Sequence, residues 1–355
     1  MKRLSIYFVS SIAALLVAGC GSDSNNVMPP APAATVTLSA ANVDTAARAA
    51  TNAAVSSASV ADVNPVSTNG AKGTAAPFSS VRTRSLQQLL FGLTREVVID
   101  RAMAKAAPAS SDIPRALAII SKTENCASGG TVTGALDDRD NSHTVSSGDL
   151  LSVTFNQCRP NPTDLIDGSV SATYSVVQVL PGFASATATV TYTQLHASST
   201  EGDFSINGSF SYNLTRIGTN LSAQLSIGVN GLTASVTGSN YSDTVTLHAG
   251  YTVTATRDPN ALPPGSSIPG VGTLTVNGAI SATSLGGTIV ISTPVAFRQY
   301  DIDPFPREGQ LQVRGVNNGL LVLTVLSTTT VRVQLDANGD GTFELTKDVN
   351  WIDLI

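Results

Sequence analysis

Apolar and polar residues alternate with period two over most of the chain beyond Cys126. In Asp203–Leu214, Phe204, Ile206, Gly208, Phe210, Tyr212 and Leu214 share one face, and Ser205, Asn207, Ser209, Ser211 and Asn213 share the other. In Thr244–Thr256, Val245, Leu247, Ala249, Tyr251, Val253 and Ala255 oppose Thr246, His248, Gly250, Thr252 and Thr254. Successive strand side chains point to opposite faces, so these segments read as half-buried strands with one wet face. About 12 to 14 such strands, mostly joined by short turns, predict an antiparallel meander. Asn230-Gly231, between Val229 and Leu232, has the composition of a tight hairpin turn, and Asn318-Gly319 and Asn338–Gly341 are further turns. The expected fold class is mainly β: a large antiparallel meander forming a curved sheet or incomplete barrel, with one or two short helices packed on it.

Upstream the period changes. Leu86, Leu89, Leu90, Leu93 and Val97 recur at helical spacing behind Ser85, a suitable N-cap, and Pro108 ends the run. This predicts a helix over 85–106 packed on the β domain, with a second short helix at 114–122. Residues 20–77 are rich in Ala, Ser, Thr, Asn and Pro and poor in large apolar side chains. A segment of that kind buries too little surface to offset its ordering entropy, so it reads as a disordered tether with a reach of roughly 40–45 Å. Its Ala-rich part, 45–61, has the composition of a transient helix. The division expected is a leader over 1–19, a tether over 20–77, a helical segment over 78–122 and a β-rich domain over 123–355.

Three stretches share the pattern G-x-[FL]-x-[IV]-x-G: Gly202–Gly208, Gly272–Gly278 and Gly309–Gly315. A glycine inside a strand marks a bend or a close backbone approach. The intervals are unequal, which excludes a regular solenoid.

Composition sharpens this picture. Of 355 residues 13% are charged, with 20 Lys+Arg against 25 Asp+Glu and a net charge of −5. No basic surplus exists to neutralise phosphates, which argues against a nucleic-acid partner. Between Pro160 and Phe297 the only cations are Arg216 and Arg257, so the polar strand faces are lined by hydroxyls rather than charges. Charge normally protects exposed sheet edges, and its scarcity here suggests barrel closure, a covering helix or a partner.

At the start, Lys2 and Arg3 precede an apolar stretch, Ile6–Val17, and then Leu16-Val17-Ala18-Gly19-Cys20. This three-part build is that of a secretory signal. Its ending resembles the lipobox of bacterial lipoproteins, which implies cleavage before Cys20 and acyl chains on that residue. Each buried CH₂ of such chains contributes about 0.8 kcal/mol of membrane affinity. Gly21, where an Asp would favour inner-membrane retention, favours the outer membrane. Cleavage would move the net charge from −5 to −7 and discard the leader's apolar stretch.

Cys126 and Cys158 are then the remaining thiols, and in an exported chain such a pair reads as a disulfide. A redox pair or metal site would need closer spacing or histidine neighbours. The Cys126–Cys158 loop holds Asp137, Asp138 and Asp140, with Asp149 after Gly148. Near the C-terminus, Asp336, Asn338, Asp340 and Gly341 reproduce the opening of a calcium loop, with Glu344 close behind. Position 12 is Lys347 where an EF-hand needs a bidentate Glu, and Val331, Val333, Leu335, Phe343 and Leu345 alternate around it. A β-hairpin with an acidic turn accounts for the stretch better, with calcium at Asp336, Asn338, Asp340 and Glu344 as the alternative. His143, His196 and His248 are far apart, and no metalloprotease, nucleophile-elbow, P-loop or dinucleotide motif is present.

The chain resembles a family of proteobacterial lipoproteins whose β-rich domain has no assigned function. The resemblance rests on the lipobox, on Cys126-Ala-Ser-Gly-Gly130 with Ser147-Gly148-Asp149 and Thr154-Phe155-Asn156-Gln157-Cys158, and on the stretch from Pro304 through Asp340-Gly341 to Trp351. It implies an envelope location and no activity.

Together these features lead to the expectation of a non-enzymatic lipoprotein, held to the outer membrane by Cys20 and facing the periplasm or the cell surface. Its role would be binding or envelope structure, with an envelope protein or apolar ligand as partner. The competing expectations are an envelope hydrolase with a carboxylate site around Asp137–Asp140, and a membrane-spanning β-barrel. Cys20→Ser is expected to abolish acyl labelling and membrane retention. Unchanged incorporation of labelled palmitate would refute the anchor.

Overall fold

A computed structural model describes residues 31–60, 119–140, 146–180, 182–200, 202–238, 241–262, 264–265, 267 and 269–354. The leader with Cys20 and the helix expected over 85–106 lie outside the described residues. Among the described residues, period-two alternation becomes fifteen strands: β1 (Ile119–Asn125), β2 (Thr131–Asp137), β3 (Leu150–Cys158), β4 (Leu165–Leu180), β5 (Phe183–Ser199), β6 (Gly202–Ile217), β7 (Asn220–Gly238), β8 (Tyr241–Leu247), β9 (Thr252–Asp258), β10 (Val271–Ala282), β11 (Gly287–Tyr300), β12 (Glu308–Arg314), β13 (Leu320–Val325), β14 (Thr330–Asp336) and β15 (Leu345–Asn350). Each pairs antiparallel with its successor, except that β8 and β9 share one place between β7 and β10. The sheet is curved and does not close into a barrel, which leaves β1 and β15 as its edges among the described residues.

Curvature comes from paired irregularities. Register shifts fall at Gln157 in β3, Gln194 in β5, Val229–Gly231 in β7 and Val295 in β11. An extra residue on one strand bends it and increases its twist. Facing these bulges are glycines. A side chain on Gly168 would overlap the carbonyl of Gln194, and one on Gly208 would overlap that of Gly231. Both have positive φ, 100° and 120°, where side chains carry a steric cost. Gly130 faces Gln157, Gly278 faces Tyr251 and Gly309 faces Phe297 in the same way.

Apolar faces line the concave side. Tyr174, Tyr192, Phe204, Phe210, Leu225 and Ile280 are fully buried there. Burying an aromatic or aliphatic side chain of this size contributes about 1.5–3 kcal/mol. Across the C-terminal part of the sheet lies α1 (Val43–Val60), in contact with β9, β10, β12 and β13. Val43, Ala46, Ala47, Ala50, Ala53 and Ala54 form its buried stripe, and alanine lets the helix axis approach the sheet closely. Asp44 pairs with Lys347 at 2.6 Å, Arg48 donates to the Asp353 carbonyl at 2.8 Å, and Tyr251 Oη donates to the Ala53 carbonyl at 3.4 Å. Ahead of α1, a strap crosses the sheet end. The Thr35 and Val36 amides donate to the Thr288 carbonyl, and the Val316 amide donates to the Val36 carbonyl. At the opposite end Trp351 stacks on Phe305, with centroids 5.7 Å apart, and meets Phe297 edge-on at 6.1 Å.

Four expectations change. The stretch expected as a tether contains the strap and α1, because its alanines gain an apolar partner that composition does not reveal. Of the short helix expected at 114–122, residues 119–122 belong instead to β1, whose Ile119–Asn125 pairs with Thr131–Asp137, and residues 114–118 lie outside the described residues. Asn230-Gly231 is not a hairpin turn: β7 runs through it as a bulge, since the flanking residues keep their ladder with β6. The apolar face is concave, the reverse of a transmembrane barrel, whose apolar band faces outward. Asn318-Gly319 and Asn338–Gly341 do form turns, joining β12 to β13 and β14 to β15.

Gly168→Ala is expected to lower stability by about 3 kcal/mol through positive φ and overlap with Gln194. Gly134→Ala, which meets nothing within 4 Å, should leave it nearly unchanged. Urea midpoints would check both, and equal midpoints would contradict the glycine–bulge account.

Candidate functional site

The convex face presents a continuous polar surface among the described residues. Register carries single rows of side chains across many strands. One runs from Thr173 through Thr189, Ser211, Ser226, Thr252 and Asn277 to Ser292. These side chains are exposed or half-buried, and adjacent strands lie about 4.8 Å apart. Neighbouring rows hydrogen-bond across strands: Ser235 with Thr244 at 2.8 Å, Thr233 with Thr246 at 3.1 Å and Thr256 with Thr273 at 2.6 Å. Such pairs contribute roughly 0.2–1 kcal/mol each and hold the hydroxyls in fixed positions. The arrangement offers donors and acceptors over a wide area with few charges, among them Asp203 beside His196 and the Arg332–Asp348 pair.

His248 sits where β8 passes into β9. Its Nε2 lies 2.6 Å from Ser281 Oγ, which is 2.8 Å from Thr288 Oγ1, and the Thr288 amide donates to Thr35 Oγ1 in the strap. Burial pushes the imidazole pKa below its ordinary 6.5. His196 is far from it in the sheet, on the β5–β6 ladder with Nε2 3.7 Å from Asp203 Oδ1, and His143 lies outside the described residues.

The two acidic clusters stand at opposite ends of the sheet. In the loop between β2 and β3, Asp149 is fully buried. It accepts from the Arg139 amide at 3.0 Å and from Ser146 through its amide at 2.7 Å and hydroxyl at 3.1 Å. Ser146 Oγ also donates to Asp140 at 2.7 Å. Asp138 stands beside these groups, while Asp137 ends β2 and meets Arg139 at 3.4 Å. In the β14–β15 turn, Asp336 accepts from the Gly339 amide at 2.7 Å and the Gly341 amide at 2.8 Å, and Glu344 accepts from the Ala337 amide at 2.8 Å. Asn338 donates to Asp340 at 3.0 Å, and the Thr342 amide donates to Asp340 at 2.8 Å, which lowers the Asp340 pKa. Asp336, Asp340 and Glu344 offer oxygens close enough together to hold one cation, but those oxygens already close the turn through backbone amides.

A buried carboxylate at the mouth of another turn behaves similarly. Burial of Asp243 opposes its charge, yet the Thr283 and Ser284 hydroxyls and the Ser284 and Thr244 amides hold its pKa below the ordinary value. Cys126 and Cys158 form the expected disulfide, with Cα atoms 5.5 Å apart. Closing that loop stabilises the fold by about 3–4 kcal/mol in the chain-entropy picture.

Sequence alternation revealed the hydroxyl faces but not which residues share a row, because register depends on the bulges. No protein-family model, curated protein or solved structure matches the chain.

The depressed His248 pKa gives a testable sign. The folded protein binds fewer protons there than the unfolded chain, so the associated stability is present above about pH 6.5 and is lost as pH falls below it. His248→Asn should flatten stability between about pH 7 and pH 5 in urea melts. An unchanged slope would show that the imidazole is not held neutral.

Proposed function

We propose that the protein is a lipoprotein anchored through Cys20 to the outer membrane, with a non-enzymatic binding or envelope-structural role carried by the convex hydroxyl face. The single observation behind this reading is the uncharged row from Thr173 to Ser292, fixed by register across seven strand positions. A face with so few charges provides little long-range steering and little counterion release. It suits a partner rich in neutral hydrogen-bonding groups, met through direct and water-bridged contacts. The sequence before Cys20 supports export and acylation, and the Cys126–Cys158 bond is of the kind that persists in an oxidising compartment.

A photo-crosslinking residue at Ser211 or Thr275 in intact cells is expected to give a discrete envelope adduct. Thr189→Glu with Ser226→Glu, which leaves the concave core untouched, should abolish it. Adducts that are absent, or indifferent to the added charge, would count against the convex face as the contact surface.

A further inference from the structure

Six of the nine large apolar side chains exposed among the described residues stand at one end of the sheet. They stand at successive turns of that rim: Leu180 at the end of β4, Ile217 at the end of β6, Leu262 between β9 and β10, Ile302 between β11 and β12, Leu326 between β13 and β14, and Ile352 after β15. Each is between 39% and 64% exposed. The opposite end, which carries the strap, has Phe343 alone, and Val229 and Val295 sit in bulges.

The same end is level. Counted along the bulge-free partner of each pair from the row through Thr173, Ser226, Ser292, Val322 and Thr346, with β8 and β9 taken as one place, strands β4 to β15 stop three to six residues away at the apolar rim, from Val325 to Val271. At the strap rim they stop between one and nine residues away, from Leu345 to Gly202. In length that is a spread of roughly 10 Å against roughly 27 Å. The difference in length between the central and C-terminal strands is therefore mostly taken up at the strap rim.

We infer that the apolar rim rests on a lipid surface, its six tips reaching the hydrocarbon boundary; this rests on the lipid-anchor reading above. Tips on alternate hairpins lie about 10 Å apart, separated by polar groups. A protein partner binds through a contiguous central patch, whereas fluid hydrocarbon receives separated side chains independently. Charges of both signs occur at the rim. Arg257 pairs with Asp301 at 2.5 Å and Arg307 with Asp303 at 2.6 Å, while exposed Arg216 beside Ile217 attracts anionic headgroups and exposed Asp353 beside Ile352 repels them. Chain length allows it too. The fifteen steps from Cys20 to Thr35 span at most roughly 50 Å. From Thr288, where the strap is held, to Tyr300 at the rim is roughly 34 Å, counted along the partner residues Ser281 to Val271.

The test uses the acylated full chain in phosphatidylethanolamine/phosphatidylglycerol vesicles. A polarity-sensitive label on Leu262→Cys should be quenched by spin-labelled lipid, and a label on Phe343→Cys at the strap rim should not. Adding Leu180→Ser, Ile217→Ser and Ile352→Ser should reduce the quenching about tenfold. Deleting residues 22–29 leaves roughly 25 Å of chain. That variant should stay in the membrane yet lose the Leu262→Cys signal. Vesicle-retained protein with equal quenching at both rims would overturn the proposal while leaving the anchor intact. Failure of acylation itself would overturn the anchor. A Leu262→Cys label shielded without lipid, together with a doubled sedimentation mass, would assign the rim to a second copy instead.

Discussion

Close backbone contact between glycines and bulges is the constraint on which the molecule depends. An antiparallel sheet of this width, built only from regular pairing, would twist but would not wrap a helix. At Gly168 and Gln194, and again at Gly208 and Gly231, one strand carries surplus residues and its neighbour has no side chain to resist them. The surplus lengthens one edge of the pair relative to the other, and the sheet curves at each repetition. From that curvature follow the concave apolar face, the seat for α1 and the convex face on which the hydroxyl rows lie.

Fold class was legible because alternation is a local property. Phe204 to Leu214 announces an inward face whatever its neighbours are. The G-x-[FL]-x-[IV]-x-G echo also pointed correctly to close approach, since Gly208 and Gly278 are both pressed against a neighbouring backbone. What was hidden is relational. Asn230-Gly231 has turn chemistry, and only the continued ladder between Phe204–Ile206 and Ala234–Val236 turns it into a bulge. Ala46, Ala50 and Ala53 carry too little apolar surface to predict burial. They are buried because alanine fits the narrow space under the sheet, and nothing local encodes that space. The acidic turn at Asp336–Glu344 was readable as a hairpin, but the amides that its carboxylates bind emerge only from the closed geometry.

Scarcity of charge in the middle of the chain has a counterpart at its margins. Edge strand β1 carries Lys122 and Glu124, and β15 carries Lys347 and Asp348, the latter paired with Arg332 at 2.8 Å. Charged side chains on edge strands discourage pairing with other chains, while interior strands, saturated on both sides, need none. The hydroxyl-rich centre and the charged edges are thus two results of one topology. An open meander has two edges to protect and many protected positions between them, where Ser and Thr keep the outer face wet without adding charge.

The strap and α1 also set an order of events. Thr35 finds its partner in Thr288, Asp44 in Lys347 and Arg48 in Asp353, separations of 253 to 305 residues. Contacts this distant along the chain close slowly, and they form only after the last strands exist. A polypeptide made from its amino terminus therefore has its opening segment waiting on its final one. The strap and α1 stay without their partners until the last strand is available, and the completed domain is delayed until the whole chain exists.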